Sequence, residues 1–373
     1  MKVPYLDLRV LDLQLRSELL SRVEKVLTHG RIIDGPEQQE FEQAIARTLG
    51  VRFAVGVSSG SSAVYLALKA SGIEPGDEVI TTPFTWIITA NAIASTGATP
   101  VFVDVKEDFN IDPVAIRRAI TSKTKAIVPV HFAGHMCDMK EITQIAKEYR
   151  LKIVEDVAQA FCASLNGSRA GSFSTAAGFS MNPMKILHGY GEAGVVTTDK
   201  KRIYEKLRQL RHAGTKIDRE KKKINLCDFI SLNHKIDTMQ AAMLLTSLNR
   251  IDEVKARRDE IAEYYDHSLS ALLDIQLTKP SEIHGRYIYL AGCRSRDKLR
   301  RFLLGQGVET KVFYSPLACD AKAFQKEKRE GLPVARRLER RSISLPLHEK
   351  MTMKQAKYVV KSIKNYYLKT KTK

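Results

Sequence analysis

A chain of 373 residues, 44% apolar and 27% charged, has the composition of a folded globular protein and is long enough for two or three domains, which excludes a disordered or collagen-like chain. The five cysteines, Cys137, Cys162, Cys227, Cys293 and Cys319, are scattered without Cys-x-x-Cys or zinc spacing, so they read as reduced packing residues and no metal site is expected. The net charge of +18 admits nucleic acid or a phosphorylated small molecule as partner, but the basic residues thicken only at Arg219 to Lys223, Arg336 to Arg341 and Lys369 to Lys373, where solvated faces are expected.

From about residue 50 to 200, short β-branched runs alternate with helical spacing. Phe53 to Val57 reads as a strand, followed by a turn at Ser58 to Ser62 and a helix carrying Ala63, Leu66, Ala67 and Ala70. Strands follow at Glu78 to Ile80, Val101 to Val103 and Ala126 to Val130, then a helix with Met139, Ile142, Ile145 and Ala146, then strands at Lys152 to Val154, Ala176 to Ser180 and Val195 to Thr198. This βαβ rhythm predicts an α/β fold with a mostly parallel sheet covered on both faces. Ile236 to about Leu273 has no Pro or Gly and keeps helical spacing, which predicts one long or broken helix linking domains. Beyond it, strands at Tyr287 to Leu290 and Ile343 to Leu345 and helices at Arg296 to Leu304 and Lys354 to Tyr367 predict a smaller α/β domain, ending in a disordered Lys/Thr tail. The division expected is 1–245 for the large domain and 246–373 for the linker helix and small domain. No apolar run approaches the roughly 20 residues of a membrane span, and Met1-Lys2-Val3-Pro4 does not open a signal peptide, so a cytoplasmic location without membrane contact is expected.

Ligands of an open parallel sheet bind beyond the carboxyl ends of its strands, so the residues there come first. Ser58-Ser59-Gly60-Ser61-Ser62 leads into a helix whose first N–H groups can hold an anion, or simply a helix capped by Ser61 or Ser62. Glu155-Asp156 puts a carboxylate at the sheet's mouth, which can equally be a capping or salt-bridged acid. In Met181-Asn182-Pro183-Met184-Lys185, Pro183 stops the strand and Lys185 projects from a loop, as an ordinary surface lysine also would. Gly189 and Gly191 permit sharp turns before the next strand. Taken together, an amine, an acid and a phosphate-binding helix end are what pyridoxal phosphate (PLP) requires: the amine forms a Schiff base, the acid keeps the pyridine nitrogen protonated and the helix end holds the phosphate. The same amine, once displaced, serves as the base that moves a proton between carbon atoms.

The sequence closely resembles the DegT/DnrJ/StrS family of PLP-dependent nucleotide-sugar aminotransferases nearly end to end. The resemblance is carried by Gly35-Pro36-Glu37, Val57-Ser58-Ser59-Gly60-Ser61, Pro75-Gly76-Asp77-Glu78-Val79, Pro83-Phe84-Thr85-Trp86, Gly97-Ala98-Thr99-Pro100, Pro129-Val130-His131, Glu155-Asp156 with Ala158-Gln159-Ala160, Gly171-Ser172-Phe173, Ser180 with Pro183 and Lys185, and Leu345-Pro346-Leu347-His348. It implies the fold-type I aminotransferase architecture, Lys185 as Schiff-base lysine, Asp156 on the pyridine nitrogen and Gln159 near the phenolic oxygen. It also implies Trp86 stacked on the ring, Gly60, Ser61 and Ser180 on the phosphate, and Asn233 reaching the phosphate of the neighbouring subunit of a homodimer. Ser62, Asn182 and Tyr287 depart from the family pattern, the last standing where His is frequent, and these departures bear on substrate rather than cofactor.

The expected activity is transfer of an amino group from an amino acid, with glutamate the expected donor, to a keto carbon of a nucleotide-linked deoxysugar, as in polysaccharide or antibiotic biosynthesis. Two rivals are a PLP-dependent nucleotide-sugar dehydratase of the same fold, in which histidine replaces the lysine, and a basic nucleic-acid-binding or regulatory protein without turnover. Lys185 argues against the first, and no nucleic-acid partner is expected.

Overall fold

A computed structural model describes residues 1–216, 226–275, 282–325, 327 and 331–371. The basic run Arg219 to Lys223 lies outside the described residues. Two helices, α1 (Leu13–His29) and α2 (Pro36–Leu49), precede β1 (Phe53–Val57) and α3 (Gly60–Ala70). Then come β2 (Glu78–Thr81), α4 (Ile88–Ala94), β3 (Thr99–Phe102), α5 (Pro113–Ala119), β4 (Thr124–Val128), α6 (Met139–Glu148) and β5 (Lys152–Asp156). A small hairpin, β6 (Ser164–Leu165) and β7 (Ser168–Arg169), leads to β8 (Ala176–Ser180), β9 (Gly194–Thr198) and α7 (Lys201–Arg211).

These strands form a seven-stranded sheet in the order β1-β9-β8-β5-β4-β2-β3. Its neighbours from β3 to β8 are parallel, and β9 alone runs against its neighbours because a loop returns directly from β8. The pleat sends alternate side chains to opposite faces. Ile80, Ile127, Ile153 and Val195 join a core with Phe41, Ile45, Ile142, Ile145 and Leu244. Val79, Val128, Val154 and Val196 join a second core with Ala63, Leu66, Ala67, Ile93 and Leu207. Helices therefore cover both faces, as the near-continuous apolar runs predict.

The expected linker is a broken helix: α8 (Thr238–Asn249) and α9 (Ile251–Leu269) meet at Arg250. After β10 (Asp274–Ile275) and β11 (Glu282–Ile283) come β12 (Tyr289–Gly292), α10 (Arg296–Gly305), α11 (Pro333–Arg341), β13 (Ser342–Leu345) and α12 (Met353–Lys371). A three-stranded sheet β10-β12-β13 backs a core of Tyr265, Leu299, Leu303, Ile343, Val359 and Ile363, which Val3 joins from the start of the chain. Strand β11 instead pairs with β6, tying residues 282–283 to the β6–β7 hairpin.

Three expectations are corrected. The tail expected to be disordered is helical to Lys371, because buried Val359, Val360, Ile363 and Tyr366 carry the helical spacing to its last turns. Cys227 is exposed, so it is no packing residue, although all five cysteines are free as expected. The basic run of α11 is not simply a solvated face: Arg336 pairs with Asp320 at 2.5 Å and with Glu339, and Arg337 with Glu107. Among the described residues no helix is long and apolar enough to cross a membrane, and no cluster of His, Cys, Asp or Glu suits a metal ion.

Candidate active site

Strand β5 ends in two buried carboxylates that the pleat turns to opposite faces. Glu155 accepts hydrogen bonds from the Gly171 and Phe173 N–H groups, each at 2.9 Å, and meets His131 Nε2 at 2.9 Å. His131 Nδ1 accepts the Cys137 N–H at 3.2 Å, which leaves Nε2 as the donor to Glu155. Asp156, on the face of α3 and α4, accepts a hydrogen bond from Thr89 Oγ1 at 2.8 Å and one from the Ala158 N–H at 3.0 Å. Thr89 Oγ1 is itself 2.7 Å from Thr85 Oγ1, so the turn that carries Trp86 is tied to Asp156. Burial pushes the Asp156 carboxyl above the usual carboxylate range, while hydrogen bonds from Thr89 and Ala158 and the charge of Lys185 hold it down. That last influence places Lys185 within electrostatic reach of Asp156.

Lys185 stands in the loop that returns from β8 to β9. The loop is built on Asn182, whose carbonyl accepts the Lys185 N–H at 2.9 Å and whose side-chain oxygen accepts the Met184 N–H at 3.0 Å, an Asx-type turn. Met181 N–H to Ala193 O and Gly189 N–H to Met181 O close it, and Ile186 and Leu187 are buried beneath. Gln240 of α8 pins its far side, with Oε1 accepting the Tyr190 N–H at 3.0 Å. The Lys185 ammonium lies 4.2 Å from the centre of the Tyr287 ring.

The third component is the start of α3. Its N-cap is Ser59, which accepts the Ser62 N–H at 3.1 Å, and not Ser61 or Ser62 as expected, because the helix already begins at Gly60. Ser62 Oγ is taken by Ser58 at 3.0 Å and by His234 Nδ1 at 2.9 Å. The Gly60 and Ser61 N–H groups sit in the first turn, where a helix offers them no acceptor. A Cβ on Gly60 would stand 2.5 Å from Ser180 Cβ, so only glycine lets this helix end touch the end of β8. The cradle of Gly60, Ser61 and Ser180 expected for a phosphate is therefore assembled at the same sheet edge as Asp156, and the residues present fit PLP.

The remaining expected residues lie around this edge. Gln159 is buried with Oε1 on the Ala133 N–H at 2.9 Å, and among the described residues its amide nitrogen donates to no other group. Trp86 is 58% exposed, with its ring centre 5.9 Å from that of Tyr314. It borders an open cavity of about 350 Å³ with Phe313, Tyr314 and Pro316. Asn233 is exposed, its side chain on the Lys235 N–H, while the carbonyl of the next residue, His234, accepts the Ser58 N–H at 2.8 Å. His188, three residues after Lys185, is held by Lys185 O at 3.2 Å and sits edge-on to Tyr190, with burial lowering its pKa.

Sequence reading missed Thr89, Gln240 and Tyr314. Thr89 lies three residues after the Pro83-Phe84-Thr85-Trp86 motif and could have been noticed there. Tyr314 comes from the C-terminal part, with its phenol pushed well above the usual range by burial and the nearby Tyr287 and Asp156. No local pattern marks it.

An α/β sheet whose carboxyl edge gathers an amine, a buried acid and a helix-end anion cradle defines a cofactor-dependent enzyme acting on amino groups. The chain belongs to the DegT/DnrJ/EryC1/StrS aminotransferase family, whose model matches residues 13–364. Its aminotransferases depend on PLP, the cofactor expected from the sequence. The chain is 37% identical to a "pleiotropic regulatory protein" of Geobacillus stearothermophilus, across 98% of this chain and 99% of that one. It is 35% identical to the dTDP-3-amino-3,6-dideoxy-alpha-D-galactopyranose transaminase of Aneurinibacillus thermoaerophilus, across 98% and 99%. The solved structure of S. venezuelae DesV, in complex with a ketimine intermediate, superposes with a TM-score of 0.93 at 35% identity, covering 98% of each chain. The lysine-to-histidine change that the dehydratase reading requires is absent at position 185.

Proposed function

We propose that this aminotransferase moves an amino group from glutamate to the keto carbon of a nucleotide-linked deoxysugar, in a homodimer with shared sites. The observation that carries the reading is the convergence of Lys185 and Asp156 on one edge beside the Gly60–Ser180 cradle. Bound there, PLP supplies an electron sink for the pair left when a proton leaves the carbon next to the amino nitrogen. Lys185 would hold the cofactor through its amine and, when free, give and take that proton at Nζ. Asp156 would hold a proton on the pyridine nitrogen. The Gly60 and Ser61 N–H groups and Ser180 Oγ would bind the phosphate at the positive end of α3. Gln159 would donate from its amide nitrogen to the phenolic oxygen, and Trp86 would cover the ring and keep water from it.

Support for the substrate class comes from the nucleotide-sugar transaminase among the relatives and from the net charge of +18, which suits a diphosphate. Support for the dimer comes from the exposed apolar side chains Leu13, Leu20, Leu27, Ile230 and Leu232, the last beside Asn233, which would complete the partner's phosphate site. A division of the chain near residue 245 and a cytoplasmic location belong to the same proposal. The test is a spectral titration of the PLP-loaded protein, first with glutamate and then with a panel of dTDP-, UDP- and GDP-linked ketosugars. Glutamate should convert the cofactor to its amine form and one ketosugar should return it. A cofactor band indifferent to both would overturn the reading.

A further inference from the structure

The ammonium of Lys185 rests on the face of the Tyr287 ring, 4.2 Å from its centre. Among the described residues its nitrogen has no hydrogen-bond or ion-pair partner. The ring is held firmly. Tyr287 is 6% exposed, and its carbonyl accepts a hydrogen bond from Arg258 Nη1 at 3.1 Å. The same guanidinium nitrogen reaches the carbonyls of Arg286 and Leu347, each at 3.3 Å, while Nη2 pairs with Glu349 at 3.0 Å. Arg258 is fully buried, so it fixes the backbone of Tyr287 from within the core. Phe313 flanks the ring at 6.5 Å between centres.

A lysine amine on a four-carbon stem is mobile, and in a transaminase it must be free for part of every cycle. An aromatic face within about 6 Å attracts an ammonium electrostatically and leaves its hydrogens available to other acceptors. We propose that Tyr287 is a positioning residue for Lys185: its ring face is the resting place of the ε-ammonium whenever the amine is not bonded to the cofactor. This keeps the amine beside Asp156 and the Gly60 cradle instead of in solvent. The inference builds on the proposed role of Lys185.

The test is made on cofactor-free protein by a brief pulse of acetic anhydride, with acetylation of Lys185 followed by peptide mass spectrometry against the exposed Lys140 as reference. An amine resting on the ring face is covered on that side and held back from a reagent arriving from solvent. Tyr287→Leu should therefore acetylate about 3- to 10-fold faster at Lys185, while Tyr287→Phe, which keeps the aromatic face, should stay within about twofold of the parent. In the loaded enzyme Tyr287→Leu should lower kcat by a similar factor with little change in KM, and Tyr287→Phe should restore it. Equal labelling in the leucine variant and the parent overturns the proposal, as does a phenylalanine variant that labels as fast as leucine. Should the leucine variant not fold, Tyr287→His replaces it, with the same rise expected. Saturating PLP should protect Lys185 of the parent from acetylation. Failure of that protection removes the reading of Lys185 as the cofactor's amine, while the labelling ratios still judge the contact.

Discussion

The two faces of β5 carry adjacent carboxylates under almost the same burial and put them to opposite uses. Glu155, on the face of α2 and α6, is saturated by two backbone N–H groups and a histidine, and locks the segments around residues 131 and 171–173 onto the sheet. Asp156, on the face of α3 and α4, has only a threonine and one backbone donor, is pushed upward in pKa by burial, and looks toward a lysine it does not touch. A buried acid fully supplied by its own chain is architecture, whereas one left short of donors is prepared for something that arrives later.

The contrast is sharpest in the expected effects of removing each charge. Asp156→Asn should lower kcat/KM by roughly two to four orders of magnitude, the scale of a lost charge-stabilising group, measured by steady-state assay with glutamate. The same change should not destabilise the cofactor-free protein. Because the folded state raises this pKa, ionising Asp156 costs stability, a cost that grows as pH rises from the unfolded value through the folded one. The melting temperature of Asp156→Asn at pH 8 should thus equal or exceed that of the parent, and should approach it below pH 4. A clear fall at pH 8 would break the comparison.

Glu155→Gln should do the reverse. It replaces one of the two acceptor oxygens by an NH2, which then faces either the Phe173 N–H or the Gly171 N–H and His131 Nε2, at a cost of about 3 kcal/mol by denaturant melts. Cofactor bound by protein that remains folded should keep a normal spectrum. Gly60→Ala should have the smallest effect. Its Cβ would strike Ser180, displace the helix end from β8 and weaken PLP about tenfold by fluorescence titration, with the melting temperature little altered.

Much of this was legible in the sequence. The ends of β1 and β8 fell where Val57 and Ser180 predicted, because buried strands write themselves as apolar runs ended by polar or small residues, whereas β5 runs two residues past the expected Val154 because Glu155 and Asp156 find buried partners. The break at Arg250 left no Pro or Gly signal, so a long and a broken helix read alike. The β6–β7–β11 sheet was invisible, since strands of two residues have no periodicity to detect. Ser59 escaped notice as the cap because a run of serines offers several candidates, and only the contact of Gly60 with Ser180 sets the first helical residue. The seats of Thr89 on Asp156 and Lys185 on Tyr287 join positions far apart in the chain, and composition cannot pair them.

Asp104, just beyond β3, accepts the Val334 and Ala335 N–H groups at 3.0 and 2.8 Å, so a residue of the central sheet caps the helix of the C-terminal part. That clasp sits on the stretch that follows Phe313 and Tyr314, the two rings the C-terminal part lends to the cleft. With the Ala318 N–H on Pro83 O at 3.0 Å, this aromatic lip is moored to the central sheet at two points, one on either side of its apolar packing.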